Sequence, residues 1–278
     1  MKLFGLVGRP VGHSIGQFVF NRIFASNWYD SIYIPMDITR ENLPRFAKFA
    51  RESMNGFNIT IPHKVDMIRL LDGYDPVVTT TQACNTVMNM GGKLYGYNTD
   101  YSGFLKSIAS LRNEIDGKRI LIAGTGGIFR SVCTALFSGF RPESVTALSR
   151  NPEEAETRLS SLPWARKIRI LGYENLSEEY QVIINCSPVG MYPDVVSMPF
   201  SELAVLSSEI VIDTVYNPYE TALIKTGVRN GKKCITGLDL YIYQALESLM
   251  IFTGIASTYS EVRDLVEEAW KSGEFGKN

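Results

Sequence analysis

Three short stretches carry residue types that can do chemistry. The first is Gly124, Thr125, Gly126 and Gly127, set between the apolar run ILIA (120–123) and a helical run opening near Ile128. A strand that ends on glycines and passes into a helix lets the backbone approach a pyrophosphate. The negative charge then meets the helix N-terminus. A lone G-x-G says little, but in this strand–helix setting it predicts a dinucleotide site. The third position of G-x-G-x-x-G is Phe129, which should limit close helix–strand packing. The second stretch is the tip of the next strand, VTALSR. An acid there would bind the ribose hydroxyls of NAD, whereas Ser149 and Arg150 suit the 2′-phosphate of NADP. Glu153 and Glu154 follow and would repel that phosphate, so NAD stays open although Ser149 and Arg150 favour NADP. A solvent-exposed charge flanking a helix is the plain alternative for Arg150. The third stretch is GFNITIPHK (56–64). Phe57, Ile59 and Ile61 alternate with Asn58 and Thr60, Pro62 stops the strand, and Lys64 follows. Either this is an amphipathic edge strand with a solvated lysine, or its end points into a substrate site. Asp100 is open in the same way, as a helix N-cap before Tyr101 or as a functional carboxylate.

The elements around these stretches alternate. LFGLVG, SIYIPMDI and GFNIT read as strands, followed by helices over roughly 17–27, over NLPRFAKFARES, and over about 64–71. NTVMNM and KLYGYN flank Gly91 and Gly92 and predict a hairpin with a glycine turn. A helix over about 101–112 then leads into GKRILIAG, SVTALSR, KIRILGY, QVIINCSP, EIVIDTVY and KKCITG as strands, with helices between several of them. Helices over about 238–253 and 260–271 close the chain. The class is α/β with a largely parallel sheet, and the natural boundary falls near Asp100.

The totals exclude several function classes. A length of 278 residues accommodates two domains with a buried core. A net charge of −1, without long runs of one sign, argues against a nucleic-acid partner. Cys84, Cys133, Cys186 and Cys234 form no CxxC pair, and His13 and His63 are too few for a strong metal site, so no metal is expected. The N-terminal run is broken by glycine and proline, and no run reaches membrane-spanning length. A cytoplasmic protein with reduced thiols is expected.

Taken together, GRPVGHS (8–14), GFNITIPHK (56–64), ACNTV (83–87), GYNTD (96–100), GTGGI (124–128), NCSPVGM (185–191) and GLDLYIYQ (237–244) make the chain resemble the shikimate dehydrogenase family over nearly its whole length. DTVYNPYET (213–221) is similar to that family's pattern too. The resemblance implies a substrate-binding and catalytic α/β domain over 1–100, completed by returning helices at 238–278. It also implies a Rossmann-like, doubly wound NADP-binding domain over 101–237. The implied reaction is the reversible NADP-linked reduction of 3-dehydroshikimate to shikimate, in aromatic amino acid and chorismate biosynthesis, by a monomer or homodimer.

Oxidising a secondary alcohol releases a hydroxyl proton, which a group within hydrogen-bond reach must accept. By resemblance that group is Lys64, with Asp100 as its orienting partner. Thr60, Asn85 and Gln244 would hold substrate hydroxyls, and Ser14 and Tyr216 would complete the substrate contact. Gly124 to Ile128, Ser149, Arg150 and Gly237 would contact cofactor, with Ser187 and Met191 bordering the nicotinamide.

The chain departs from the family pattern at three places. The substrate loop normally reads S-x-S-P, and here Ser14 is followed by Ile15, Gly16 and Gln17. One lost hydrogen bond to a carboxylate costs about 1.5–3 kcal/mol, or roughly ten- to a hundredfold in binding. Thr125, Ile128 and Phe129 replace small residues in the cofactor loop, and Glu154 stands near where a second arginine after Arg150 is expected. The alternatives are therefore a paralogue acting on quinate or a related acid with NAD or NADP, and a non-catalytic dinucleotide-binding regulatory protein. Retention of both Lys64 and Asp100 argues against the last.

Overall fold

The computed structural model describes residues 1–12, 14–174 and 179–272; His13 lies outside the described residues. The chain divides into two compact units, Met1–Thr99 with Ile242–Asn278, and Asp100–Tyr241.

The first unit runs β1 (Lys2–Gly8), α1 (Gly16–Ser26), β2 (Ser31–Asp37), α2 (Leu43–Ser53), β3 (Gly56–Ile59), β4 (Gly73–Tyr74), α3 (Pro76–Thr81), β5 (Thr86–Met90) and β6 (Lys93–Tyr97). Its sheet has the order β2-β1-β3-β5-β6-β4. β1 runs parallel to β2 and β3, whereas β5 is antiparallel to β3 and β6. The β5–β6 turn places Gly91 and Gly92 at φ +64° and +88°, the pair of positive angles a tight hairpin needs. α2 buries Leu43, Phe46, Ala47 and Ala50, one face at helical spacing, into a core with Phe57, Met67, Val87 and Leu94. All four residues of β3 are buried, so this strand is central and not an edge.

One local expectation is corrected here. The helix expected over 64–71 is a short 3-10 turn, Asp66–Leu70. Met67 is its one buried residue, so it lacks the apolar face that would extend it, and Leu71 is already extended. Conversely, the β-branched run PVVTTT forms α3. Asp75 accepts the Val78 N–H at 2.8 Å, Pro76 takes the first turn, and Gln82 ends the helix at φ +47°.

The second unit runs α4 (Thr99–Ser107), α5 (Arg112–Ile115), β7 (Arg119–Ala123), α6 (Gly127–Gly139), β8 (Ser144–Leu148), α7 (Pro152–Leu159), β9 (Ile168–Leu171), β10 (Val182–Asn185), α8 (Glu202–Ser207), β11 (Ile210–Asp213), α9 (Ala222–Arg229) and β12 (Lys233–Ile235). The helix expected over 101–112 is broken between α4 and α5. Ser107 turns its hydroxyl onto the Phe104 carbonyl at 2.8 Å, and Ile108 leaves helical angles. The sheet is wholly parallel in the order β12-β11-β10-β7-β8-β9, doubly wound and Rossmann-like. Its central strands RILIA, VIIN and IVID are near-continuous apolar runs, as covering on both faces requires. Strand order reverses between β7 and β10, and in such sheets that point marks the binding crevice.

α10 (Gly237–Thr253) starts in the second unit and continues into the first, where α11 (Tyr259–Lys271) packs on α1. Among the described residues no helix is long and apolar enough to cross a membrane.

Candidate functional site

Pairing in the first sheet brings the C-terminal ends of β1, β3 and β6 and the N-terminal end of β5 to one edge, through Val7↔Ile59, Asn58↔Thr86 and Thr86↔Tyr97. The predicted residues lie just beyond. The Thr60 N–H donates to Val7 at 2.8 Å, the Ile59 N–H to Asn85 at 2.8 Å, and the Cys84 N–H to the Lys64 carbonyl at 2.8 Å. Asn85 is buried, and its side-chain oxygen accepts the Thr99 N–H at 2.7 Å while its amide donates to the Thr99 hydroxyl at 2.9 Å. Asp100 follows directly, 5 % exposed, in the first turn of α4. A helix N-terminus favours a carboxylate in that position.

Beneath these residues lies a buried polar network that the alternation in GFNIT did not reveal. Asn58 is not solvated. It accepts from the Tyr33 hydroxyl at 2.9 Å and donates to Thr86 and Ser248, each at 2.9 Å. Ser248 also shares hydrogen bonds with Thr86 at 2.9 Å and Thr99 at 3.3 Å. Buried polar groups satisfied in this way hold a unique geometry. Sequence reading missed this network of Asn58, Thr86, Thr99 and Ser248; the one signal was a polar Asn58 inside an apolar strand. Gln244, half-buried, stands one helical turn before Ser248 on the same face of α10. On the next loop, the Ser14 hydroxyl accepts the Gly16 N–H at 3.2 Å, which leaves its proton to donate elsewhere. A side chain at Gly16 would meet Ser14 Oγ at 3.2 Å and the Tyr33 ring at 3.5 Å.

The other predicted residues lie on the segments that follow the C-terminal ends of β7, β8, β10, β11 and β12 in the second sheet. Gly124 has φ +91°, and a Cβ there would lie 3.0 Å from the Cys186 carbonyl, so the loop after β7 touches the loop after β10. Around Gly126, the N-cap of α6, a Cβ would meet nothing within 4 Å, and as a glycine it offers no capping side chain to the first turn. That open turn of N–H groups is the feature an anionic pyrophosphate fits. Phe129 does not hold α6 away from the sheet. It is wholly buried in the core, edge-on to Trp164 at 5.6 Å, and Ile128 packs against the same core.

Ser149 is buried and occupied within its own turn, its hydroxyl donating to the Asn151 carbonyl at 3.1 Å and accepting the Asn151 N–H at 3.2 Å. It shapes the turn that presents the exposed Arg150. Glu154 is engaged by the Asn151 amide at 3.1 Å, at the start of α7.

Asn185 and Asp213, at the tips of β10 and β11, organise the neighbouring loops. Asn185 accepts the Ser187 hydroxyl at 2.7 Å and donates to Val189 and Asp213, each at 3.0 Å. Asp213 also accepts from Thr221 at 2.7 Å and from the Val215 N–H at 2.9 Å. Met191 is half-buried in the loop so fixed, and Tyr216 packs on Tyr241 at 4.6 Å. A Cβ on Gly237 would lie 2.5 Å from the Val215 carbonyl oxygen, so this glycine is required for backbone approach.

Burial raises the Asp213 carboxyl from 3.8 to about 6, against the downward pull of its three hydrogen bonds. The folded chain thus keeps a proton that the unfolded chain loses. The resulting stabilisation is full below pH ~4 and is lost as pH rises through ~6. In urea unfolding, Asp213→Asn should flatten the fall in stability between those limits, which is on the order of 3 kcal/mol for a shift of this size. Parallel pH profiles for the two proteins would refute this.

Residues 6–87 match the family described as the shikimate dehydrogenase substrate binding domain. The chain is 38 % identical over 255 residues to the shikimate dehydrogenase (NADP(+)) of Thermoplasma acidophilum, covering 91 % of each chain. Among solved structures it is similar to shikimate dehydrogenase 1 of Peptoclostridium difficile, with a TM-score of 0.85 and 29 % identity over 99 % of this chain and 100 % of that one. It is also similar to the shikimate 5-dehydrogenase of Thermus thermophilus in complex with NADP(H) and shikimate, with a TM-score of 0.82 and 27 % identity over 97 % and 100 % of the two chains.

Proposed function

The chain belongs to the shikimate dehydrogenase family, and we propose that it catalyses the reversible NADP-dependent reduction of 3-dehydroshikimate to shikimate, a step of chorismate and aromatic amino acid biosynthesis. The observation that carries this reading is the buried Asn58–Thr86–Thr99–Ser248 network. Its hydrogen bonds fix Asn85, on the residue next to the Lys64 carbonyl's partner Cys84, and the Thr99 N–H just before Asp100. A fold that only bound a dinucleotide would have no need of that arrangement at the end of the other sheet.

In this reading residues 1–100 with 238–278 bind substrate and do the proton chemistry, and residues 101–237 bind NADP. When bound, the nicotinamide supplies or accepts the hydride. The chain's own residues do the rest. Lys64 gives the proton to the nascent alkoxide oxygen in reduction and takes it in oxidation, with Asp100 orienting its ammonium. Thr60, Asn85, Gln244 and Tyr216 hold substrate oxygens, and Ser14 donates to the carboxylate. An analogue lacking one of those groups leaves a buried polar atom unpaired, which is the source of selectivity. Gly124 to Ile128 admit the pyrophosphate, Arg150 faces the 2′-phosphate, and Ser187, Met191 and Gly237 border the nicotinamide. Three buried free thiols and one half-buried support a cytoplasmic setting.

Gly16 favours a second reading, a paralogue whose acid differs at the carboxylate end. Initial rates at the reduced-nicotinamide absorbance band, crossing shikimate and quinate with NADP and NAD, separate the two. Saturable turnover with shikimate and NADP is expected, with a raised KM for shikimate where only one serine grips the carboxylate. Turnover with quinate alone would replace the first reading by the second, and no turnover with either acid would remove both.

A further inference from the structure

Glu154 stands where a second phosphate-binding arginine is expected, yet α7 carries Arg158 one helical turn further on. Its guanidinium does not point away from the dinucleotide loop. Nη2 donates to the Thr125 hydroxyl at 2.9 Å and to the Thr125 carbonyl at 3.2 Å, while Nη1 makes a long, half-exposed i,i+4 ion pair with Glu154 at 3.9 Å. The strand register explains why this position matters. Ala123 pairs with Leu148, and the Gly124 N–H donates to the Leu148 carbonyl at 3.0 Å, so the two loops leave the sheet side by side. Thr125 and Arg150 each stand two residues past that pair. From behind, Arg130 of α6, 3 % exposed, donates to the Arg158 carbonyl at 3.2 Å. Burial and the Arg158 cation together lower the Arg130 guanidinium to about 10, effects that an anion arriving here would oppose.

We propose that Arg158, braced on Thr125, is the second cation for the 2′-phosphate of NADP, sharing it with Arg150 at the neighbouring loop end and setting the preference for NADP over NAD. This rests on the NADP reading above. A cation tethered two turns into α7 and hydrogen-bonded to the loop reaches the phosphate from the loop side, so an acid at 154 is tolerated: Glu154 is held by Asn151 at the helix start. A planar guanidinium can keep its bond to Thr125 through one edge and offer the other to phosphate oxygens.

The test is calorimetric titration of NADP⁺, NAD⁺ and 2′,5′-ADP into the wild-type protein, Arg158→Gln and Arg158→Lys, with thermal melts to confirm folding. Arg158→Gln should weaken NADP⁺ and 2′,5′-ADP by about ten- to a hundredfold and leave NAD⁺ within about twofold, with Arg158→Lys intermediate. Equal weakening of NADP⁺ and NAD⁺ would mean that Arg158 only braces the loop, and no change would mean that it does neither; both overturn the proposal. Failure of the wild type to bind any dinucleotide would instead overturn the NADP reading, and this proposal with it.

Discussion

Lys64→Ala should lower kcat for shikimate oxidation by about 10²–10⁴, the usual yield of one positioned acid/base group, while NADP⁺ still binds. The backbone at this position is held by the Cys84 N–H, and alanine keeps that bond, so the fold should survive the change. Asp100→Asn should also lower kcat. If the two act as one unit, the double variant will be no slower than the worse single one, because groups that work together are not additive. Stopped-flow single turnovers would isolate the chemical step. Unchanged turnover in Lys64→Ala would remove the mechanism, and strictly additive losses would separate Asp100 from Lys64.

Gly124→Ala has the second large expected effect, on a different quantity. The residue sits at φ +91°, where a side chain is strained, and its Cβ would press on the Cys186 carbonyl at 3.0 Å. Strain and overpacking each cost about 1–3 kcal/mol, and the loops on both sides of the reversal point would have to separate. A lower melting temperature together with weaker binding of both NADP⁺ and NAD⁺ is expected. This contrasts with Arg158→Gln, which should discriminate between them. Gly126→Ala provides the control: nothing lies within 4 Å of its Cβ position and its φ is negative, so its melting temperature should barely move. A Gly124→Ala protein as stable as Gly126→Ala would contradict the reading of this loop as close-packed.

The strands were legible because their patterns are unambiguous. RILIA, VIIN and IVID are too apolar to be anything but buried, and Gly91-Gly92 sits between two alternating runs. The short helical pieces were not. Residues 64–71 have the composition of a helix but one buried anchor, Met67, and PVVTTT has the composition of a strand but a cap at Asp75 and a proline in its first turn. In both places a single local bond or contact outweighed the propensity of the segment. For the site, the glycine loop at Gly124 was readable from type and position, whereas Lys64 and Asp100 were left open by type and position and entered only through the family resemblance. Asn58, Ser248, Asn185 and Asp213 were not readable, because their partners lie up to 190 residues away and no spacing rule reaches that far. Arg158 was missed for a subtler reason. The role proposed for it belongs, in the family pattern, to a position one helical turn earlier, where Glu154 stands.

The Ser248 hydroxyl bonded to Asn58, and the Phe252 ring 5.0 Å from Phe4, also set a timetable for synthesis. Residues 1–99 leave the ribosome first, yet the helix that closes their core arrives some 150 residues later. At translation speeds of about 5–20 residues per second that is a wait of roughly 7–30 s. During it β3 has its sheet partners but lacks the helix that covers it, and Asn58 lacks one of its acceptors. The continuous segment 100–241 needs no such late arrival, since all its strands are made by Ile235. The segment translated first is therefore the last to finish folding, and a nascent chain must shelter that open apolar face until α10 emerges.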